Sequence, residues 1–175
     1  MSQRGSGYER KALDLYDTPA WVTAPLLPHL PGVRAVWEPA AGSGKMVEAL
    51  RTGGLTVEAS DIAGGKDFLT SAPPVELDAI VTNPPYMLAR EFIERALLLM
   101  RPRGLVAMLL RTDFDHAASR RHLFSKCPAF ARKVVLTKRI VWFDGPKAAP
   151  SFNHAWYIWD WRHRGSPMLA YAPAQ

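Results

Sequence analysis

The sequence alternates short apolar, β-branched runs with longer amphipathic stretches, and this alternation constrains its fold more than any other feature. The apolar runs predict strands at residues 35–38, 56–60, 79–82, 105–110, 133–137 and 156–161. The stretches between them predict helices at residues 45–51, 89–101 and 116–125. Strands that alternate with helices form a parallel α/β sheet, because each helix carries the chain back to start the next strand. No helix is predicted between the last two strands, so we expect them to pair antiparallel at one end of the sheet.

The length and apolar content suit one folded domain. At 175 residues with 48% hydrophobic residues, the chain is long enough for one core and short for two. Prolines at positions 19, 25, 28 and 31 allow only brief helical pieces there, because proline cannot donate a helical hydrogen bond. We therefore predict an N-terminal lead-in over residues 1–32 and a single domain over residues 33–175.

Composition argues against several classes of protein. The longest apolar run, residues 105–110, is far shorter than the roughly 20 residues of a membrane-spanning helix. The polar residues 2–11 do not resemble the apolar core of a secretion signal, so we expect a cytoplasmic protein that does not bind a membrane. Cys127 is the only cysteine and the five histidines are scattered, so we expect neither a disulfide nor a metal site.

Positive charge is concentrated in one segment of the second half. Eight basic residues lie between positions 111 and 139 against two acidic ones, a net charge of +6. The basic residues are Arg111, Arg120, Arg121, Lys126, Arg132, Lys133, Lys138 and Arg139. Such a cluster suits the phosphate backbone of a nucleic acid. The alternative is a solvated helix face.

A turn of small residues joins the first predicted strand to the first predicted helix. Its candidate ligand-binding residues are Glu38, Pro39, Ala40, Gly42 and Gly44. Small residues let a ligand approach the backbone, and the start of a helix offers free N–H groups. A phosphate-binding loop would need Gly in place of Pro39 and Ser or Thr in place of Met46, and a dinucleotide fingerprint would need Gly in place of Val47. Both fail, which leaves a different cofactor or a purely structural turn.

Asp61 stands at the end of the second predicted strand. A carboxylate there can accept hydrogen bonds from the two hydroxyls of a ribose, by the logic of dinucleotide-binding folds. Ile62, next to it, is a candidate contact of the same ligand. The alternative role of Asp61 is a helix cap.

The strongest chemical signal is an apolar strand that runs directly into Asn83-Pro84-Pro85-Tyr86. Two consecutive prolines fix the backbone and present carbonyl acceptors at the carboxyl edge of the strand, where open α/β sheets bind ligands. The Asn83 side-chain oxygen and the Pro84 carbonyl can each accept one N–H of a planar amine, and Tyr86 offers a ring for stacking. These four residues are the predicted catalytic set. A proline turn that merely ends a strand is the alternative.

These motifs together resemble the Asn-Pro-Pro-Tyr class of amino-methyltransferases, which use S-adenosylmethionine. The acidic Gly-x-Gly turn after the first strand resembles motif I of class I methyltransferases, and Tyr16-Asp17-Thr18-Pro19 resembles the Tyr-x-Thr-Pro element of the DNA adenine branch. Asp67-Phe68 resembles the acidic-aromatic pair at the adenine ring of the cofactor. The resemblance covers roughly residues 16–161.

The resemblance implies a fold, a cofactor and a target. The fold is Rossmann-like, with helices on both faces of a seven-stranded, mostly parallel sheet whose last strand is reversed, and the strand missing from our six lies near residues 68–77. The lead-in packs on the cofactor site, so Tyr16 and Thr18 join the residues that contact S-adenosylmethionine. Asp67, Phe68 and Asn83 are further implied contacts of the cofactor. The target is an exocyclic amine, adenine N6 in DNA. Candidate substrate contacts are Trp142 or Phe143 on the second face of a flipped base, Lys147 near a phosphate, and Arg111.

Three alternatives to the interpretation as a DNA adenine methyltransferase stay open. An RNA base amino-methyltransferase would use the same basic segment. A protein glutamine methyltransferase shares the Asn-Pro-Pro-Tyr motif, although those enzymes usually have a helical N-terminal domain. An inactive nucleic-acid-binding module could keep the fold. In any of these cases, a partner subunit or a homodimer could supply target recognition.

Overall fold

The structure is a computed structural model that describes residues 17–142 and 150–173. Its strands are β1 (Ala35–Glu38), β2 (Thr56–Ala59), β3 (Ala79–Thr82), β4 (Leu105–Arg111), β5 (Phe130–Val135), β6 (His154–Asp160) and β7 (Met168–Tyr171). Its α-helices are α1 (Ala20–Thr23), α2 (Lys45–Thr52) and α3 (Ala89–Met100). Short 3-10 turns lie at Ala24–His29, Ile62–Gly64, Tyr86–Leu88, Phe114–His116 and Ala118–Arg120.

The strands form one seven-stranded sheet in the order β2-β1-β3-β4-β6-β5-β7. β6 runs antiparallel to both of its neighbours, and the other pairs are parallel. The six predicted strands and the antiparallel pairing of the last two of them are confirmed. The reversed strand is the sixth in the chain, and β7 follows it as an edge strand parallel to β5.

Our position for the seventh strand, near residues 68–77, is wrong. That range consists of turns and irregular backbone. Pro73 and Pro74 have no N–H groups, so they cannot donate to a sheet ladder. The seventh strand is β7, and because three of its four residues are exposed, no buried apolar run marks it in the sequence.

The predicted helix over residues 116–125 is also wrong. The chain there forms the 3-10 turns Phe114–His116 and Ala118–Arg120 and then further turns. A continued helix would occupy the Leu123 carbonyl with an amide four residues later. Here the Leu123 carbonyl accepts a 2.6 Å hydrogen bond from the Trp159 indole instead, and the Cys127 amide donates to Phe124.

The two faces of the sheet carry separate cores, which confirms helices on both faces. Val22 of α1 and Leu50 of α2 pack on one face with Trp156. Ile93 of α3 packs on the other face with Trp159. None of the helices in residues 17–142 and 150–173 has the length and apolar content needed to cross a membrane.

The reversed strand β6 is buried along almost its whole length. Trp156 and Trp159 are both 0% exposed and point to opposite faces, because strand side chains alternate. The Trp156 indole donates to the Val22 carbonyl at 2.8 Å, and the Trp159 indole donates to Leu123. β6 therefore fixes the lead-in on one face and the β4–β5 connection on the other.

Asp78 aligns two of the strands that carry the site. Its carboxylate accepts hydrogen bonds from the Arg34 and Ala35 amides at 2.8 and 2.9 Å. These bonds stabilise the ionised form, so the pKa of Asp78 is lowered. The start of β3 is thereby fixed beside the start of β1.

Replacing Trp159 with Phe should destabilise the chain by about 2–4 kcal/mol, because the change leaves the buried Leu123 carbonyl without its donor and opens a cavity. Urea unfolding followed by circular dichroism measures this loss. Leu98→Ala is the matched control: Leu98 is 69% exposed on α3, so its loss should stay within about 0.5 kcal/mol. Equal midpoints for the two variants would contradict the role given to Trp159.

Candidate functional site

The candidate site lies at one edge of the sheet. The carboxyl ends of parallel strands share an edge, and ligands bind outside it in open α/β sheets. Glu38 ends β1, Asn83 follows β3 directly, and Arg111 ends β4. Because β6 is reversed, its first residue, His154, lies at the same edge, paired with Arg111.

Hydrogen bonds to the ends of β1 and β2 hold the turn between β1 and α2. The Ala41 amide donates to the Ser60 carbonyl and the Ser60 amide donates to the Glu38 carbonyl, both at 3.0 Å. Gly42 and Gly44 have φ angles of 51° and 86°, a left-handed conformation that favours glycine. A Cβ added at Gly44 would meet none of the described atoms within 4 Å. The turn therefore leaves room for a ligand at the start of α2.

Glu38 is a buried carboxyl under this turn. Its side chain is 1% exposed, and Oε1 accepts a 2.9 Å hydrogen bond from the Ala40 amide. Burial is the main cause that raises the pKa of Glu38 to about 8, with a contribution from the charge of Asp61. The Thr82 hydroxyl and the Ala40 amide oppose the shift. Glu38 is therefore largely protonated at neutral pH, and this uncharged carboxyl group supports the turn by its hydrogen bond from the Ala40 amide.

Asp61 links the turn to the end of β2. Its Oδ2 accepts from the Gly42 amide at 2.9 Å, and its Oδ1 accepts from the Ala63 amide at 2.8 Å. The second bond is the cap of the Ile62–Gly64 turn, so the capping role is observed. A carboxylate has about four acceptor positions, so the two bonds still leave acceptor capacity for ribose hydroxyls. Ile62 is 59% exposed beside it.

The pair Asp67 and Phe68 is divided between surface and core. The Asp67 carboxylate is partly exposed and accepts from the Leu69 amide at 2.9 Å. The Phe68 ring is 1% exposed and packs against Trp37 and Phe92, with centroids 5.1 and 4.7 Å away. In this structure the ring packs in the core, and the polar group at the surface is Asp67. Arg95 of α3 holds the segment by donating to the Phe68 carbonyl at 2.7 Å.

The lead-in contacts both Asn83, after β3, and Lys45, at the start of α2. The Thr18 hydroxyl, 4% exposed, accepts a 3.2 Å hydrogen bond from the Asn83 amide nitrogen. Asp17 forms a 3.3 Å ion pair with Lys45 at the start of α2. A hydrogen bond from Ser43 is the main cause that lowers the pKa of Asp17. Tyr16 lies outside the described residues.

The Asn83-Pro84-Pro85-Tyr86 segment leaves β3 as a tight turn. The Pro85 carbonyl accepts from the Leu88 amide at 2.9 Å, which closes the Tyr86–Leu88 turn. Asn83 and Tyr86 are partly buried, whereas Met87 is 79% exposed. The structure therefore places this segment at the end of β3, which pairs with β1, and Asn83 is hydrogen-bonded to Thr18.

His154 joins this site and was not among our candidates. It is 1% exposed, and its Nε2 shares a 2.7 Å hydrogen bond with the Tyr86 hydroxyl. Burial is the main cause that lowers its pKa to about 4. In the sequence, a polar residue at the start of an otherwise apolar strand was the available signal.

The predicted substrate contacts are only partly described. The Trp142 ring meets the His154 ring edge-on, with centroids 5.5 Å apart. Arg111 pairs with Asp113 at 2.8 Å and lies 3.9 Å from the centroid of the Phe152 ring. Phe143 and Lys147 lie outside the described residues.

The basic segment is partly neutralised by internal contacts. Lys133 pairs with Asp115 at 2.9 Å, and Arg120 donates to the Phe114 carbonyl. Lys138 and Arg139 are exposed and follow β5, which ends at the site edge. Only part of the charge counted from the sequence is thus available to a ligand.

Glu38→Gln should flatten the dependence of stability on pH. In the folded chain Glu38 has a pKa of about 8 and keeps its proton at lower pH. In the unfolded chain it releases the proton near its ordinary pKa of 4.5. The folded state binds more protons in this range, so its stability falls as pH rises.

The ordinary histidine pKa of 6.5 lies at the lower end of the useful window, so His154 of the unfolded chain still loses part of a proton there, but this contribution is common to the wild type and Glu38→Gln and cancels in their comparison. Thermal unfolding between about pH 6.5 and pH 8 should show a falling midpoint for the wild type and a flatter one for Glu38→Gln. Parallel slopes would contradict the buried, protonated state of Glu38.

Comparison with known proteins places the fold. The sequence matches no protein-family model and no curated protein. A structure from Listeria monocytogenes, assigned as a class I S-adenosylmethionine-dependent methyltransferase, has a TM-score of 0.64 at 13% identity and covers 89% of this chain and 65% of its own. A structure assigned as the modification subunit of a type I restriction enzyme from Vibrio vulnificus YJ016 has a TM-score of 0.60 at 13% identity, over 93% of this chain and 46% of that one.

A third similar structure contains a cofactor product. It is the 1,6-didemethyltoxoflavin-N1-methyltransferase of Burkholderia thailandensis, with 1,6-didemethyltoxoflavin and S-adenosylhomocysteine bound. Its TM-score is 0.53 at 15% identity, over 82% of this chain and 79% of that one. The chain spans just under two thirds of the Listeria protein, 65%, and under half of the Vibrio subunit, 46%. It has the α/β, Rossmann-like fold of class I methyltransferases.

Proposed function

We propose that the protein is an S-adenosylmethionine-dependent methyltransferase that acts on an exocyclic amino group, adenine N6 in DNA. One observation carries the proposal: Asn83-Pro84-Pro85-Tyr86 follows β3 at the ligand edge of the sheet, next to the turn between β1 and α2. The fold shared with class I methyltransferases supports the same assignment.

The described residues fit the cofactor. Asp61 would hold the ribose hydroxyls, the open turn at Gly44 would take the methionine part, and Asp67 would accept from the adenine amine. When bound, S-adenosylmethionine supplies an electrophilic methyl group on a sulfonium. The fit rests on the space over Gly44 and on the acceptor capacity of the Asp61 carboxylate.

Asn83 orients the target amine. The Thr18 hydroxyl accepts a hydrogen bond from the Asn83 amide nitrogen, which sets the orientation of the side-chain amide and hence of its oxygen. This oxygen accepts one amine N–H and the Pro84 carbonyl accepts the other, which draws the nitrogen towards tetrahedral geometry. The Tyr86 ring packs against the face of the base.

The chemistry then needs no strong base. The nitrogen lone pair forms the N–C bond as the S–C bond breaks and its electron pair goes to sulfur. The amine carries its extra proton until after the transfer and then releases it to solvent. Position and electrostatics therefore account for the rate. The neutral His154 and the protonated Glu38 place no net charge against the sulfonium or the amine.

One observation favours a nucleic acid as the substrate, and a second favours DNA. Lys138 and Arg139 are exposed and follow β5 at the edge of the sheet where the site lies. The phosphates of a bound nucleic acid could contact them there. Among the similar folds is the Vibrio subunit assigned to a type I restriction enzyme. We propose that a partner subunit or a second copy of the chain supplies target recognition.

The decisive experiment offers the protein labelled S-adenosylmethionine with separate pools of unmethylated DNA, RNA and protein. Mass spectrometry of the digested products should find N6-methyladenine from DNA. Methylated bases only in RNA, or methylated glutamine only in protein, would replace the DNA assignment. Binding of the cofactor without transfer to any pool would favour an inactive nucleic-acid-binding module.

Asn83→Ala should lower kcat by about 10²–10³-fold, because it removes an acceptor that acts on the amine in the transition state. The dissociation constant for S-adenosylmethionine, measured by calorimetry, should change by no more than about threefold, which is about 0.7 kcal/mol. Unchanged turnover would remove Asn83 from the catalytic set.

Asp61→Ala is the reciprocal variant. It removes the proposed ribose acceptor and releases the Gly42 amide, so the dissociation constant for S-adenosylmethionine should rise by about 10-fold or more. Thermal unfolding of the free chain separates the two roles of Asp61. A lower unfolding midpoint with unchanged cofactor affinity would leave only the capping role.

A further inference from the structure

A buried histidine contacts the proposed catalytic segment, and the mechanism above uses only its neutral state. His154 is the first residue of β6, and its carbonyl accepts from the Leu136 amide at 3.1 Å. On the other side β6 pairs with β4, with His154 opposite Arg111. The sheet pairing on both sides fixes the backbone of His154, and this fixes the position from which its side chain extends.

The imidazole makes a two-part contact with Tyr86. Its Nε2 lies 2.7 Å from the Tyr86 hydroxyl. The two rings lie side by side, with centroids 5.9 Å apart and planes inclined by 26°. Trp142 meets the imidazole edge-on at 88°, so Tyr86 and Trp142 are both in contact with His154.

A tyrosine ring that stacks on a base must keep a fixed plane. Pro85 restricts the backbone before Tyr86, but it does not fix rotation of the side chain. The hydrogen bond to His154 restrains the far end of the ring. This bond fixes the axis of the ring. Rotation about that axis is limited because the phenol O–H prefers to lie in the ring plane and the imidazole plane is inclined to it by only 26°.

We propose that His154 is a positioning residue that fixes the stacking face of Tyr86 for the target base. The inference rests on the proposed function, because it assigns a role to the same site. His154 does not touch the reacting atoms, and its effect on turnover passes through Tyr86.

The surroundings keep the contact intact over the usual range of pH. The charged groups that act on His154 are Arg111 and Asp113, which have opposite effects on its pKa. With the pKa near 4, the imidazole is neutral above about pH 5. In either neutral tautomer the bond forms, because the Tyr86 hydroxyl can donate to a bare Nε2 or accept from a protonated one.

A double-mutant cycle tests the proposal in the full chain. Tyr86→Phe and His154→Phe each remove the same hydrogen bond and keep a ring, so each should lower kcat about 10-fold with unchanged affinity for S-adenosylmethionine. The double variant should be no slower than either single variant. Multiplied losses in the double variant would overturn the proposal.

His154→Gln is the conservative control. Its side-chain amide can donate to or accept from the Tyr86 hydroxyl, so kcat should recover most of the loss seen with His154→Phe. A glutamine variant as slow as the phenylalanine variant would show a general packing effect and overturn the proposal. If His154→Phe does not fold, Tyr86→Phe and His154→Gln still provide the comparison.

A measurement without turnover separates this inference from the proposed function. The ¹⁵N NMR shift of His154 Nε2 should change between the wild type and Tyr86→Phe, because the variant removes its partner. An unchanged shift would overturn the positioning role, even in an active enzyme. A changed shift in a chain that methylates no substrate would support the Tyr86–His154 link and reject the methyltransferase assignment alone.

Discussion

The parallel pairing of β1 with β3 is the constraint on which the rest of the site depends. Val36 pairs with Ala79 and Trp37 with Ile80, so the two strands end together and bring Glu38 and Asn83 to one edge. A shift of one residue would turn each β3 side chain to the opposite face. The Asp78 carboxylate, bound to amides at the start of β1, opposes such a shift from the other end. The geometry of the site is thus set by bonds at both ends of β3.

The electrostatics of the site follow from burial. Glu38 and His154 are each 1% exposed, and their pKa values move in opposite directions, to about 8 and about 4. Both shifts favour the neutral form, because a buried charge without a partner is costly. The ionised groups, such as the Asp17–Lys45 and Arg111–Asp113 pairs, lie at more exposed positions around them. The two buried titratable groups at the centre of the site are therefore neutral, and the charged groups surround them.

The sequence was sufficient to predict those elements whose burial or backbone chemistry leaves a local pattern. Strands β1 and β3 have the predicted bounds, since both are short apolar runs buried between neighbours. β7 could not be found, because an exposed edge strand needs no apolar pattern, and residues 116–125 were misassigned because a tertiary bond from Trp159 replaces a helical one. Two features depend on contacts between distant positions, which no local pattern encodes. His154 contacts Tyr86, 68 positions earlier in the chain, and Phe68 packs in the core against Phe92, 24 positions later.

The reversed strand β6 explains why the aromatic C-terminal region serves both stability and the site. Trp156 fastens the lead-in through Val22, and that lead-in presents Thr18 to Asn83. Trp159 fastens the β4–β5 connection on the opposite face. The same strand begins with His154, which contacts Tyr86. Because β6 is antiparallel to β4, its first residue and not its last lies at the ligand edge. A parallel strand in that position would have placed His154 at the far edge of the sheet, away from Tyr86, so the reversal itself is what couples the core to the proposed stacking face.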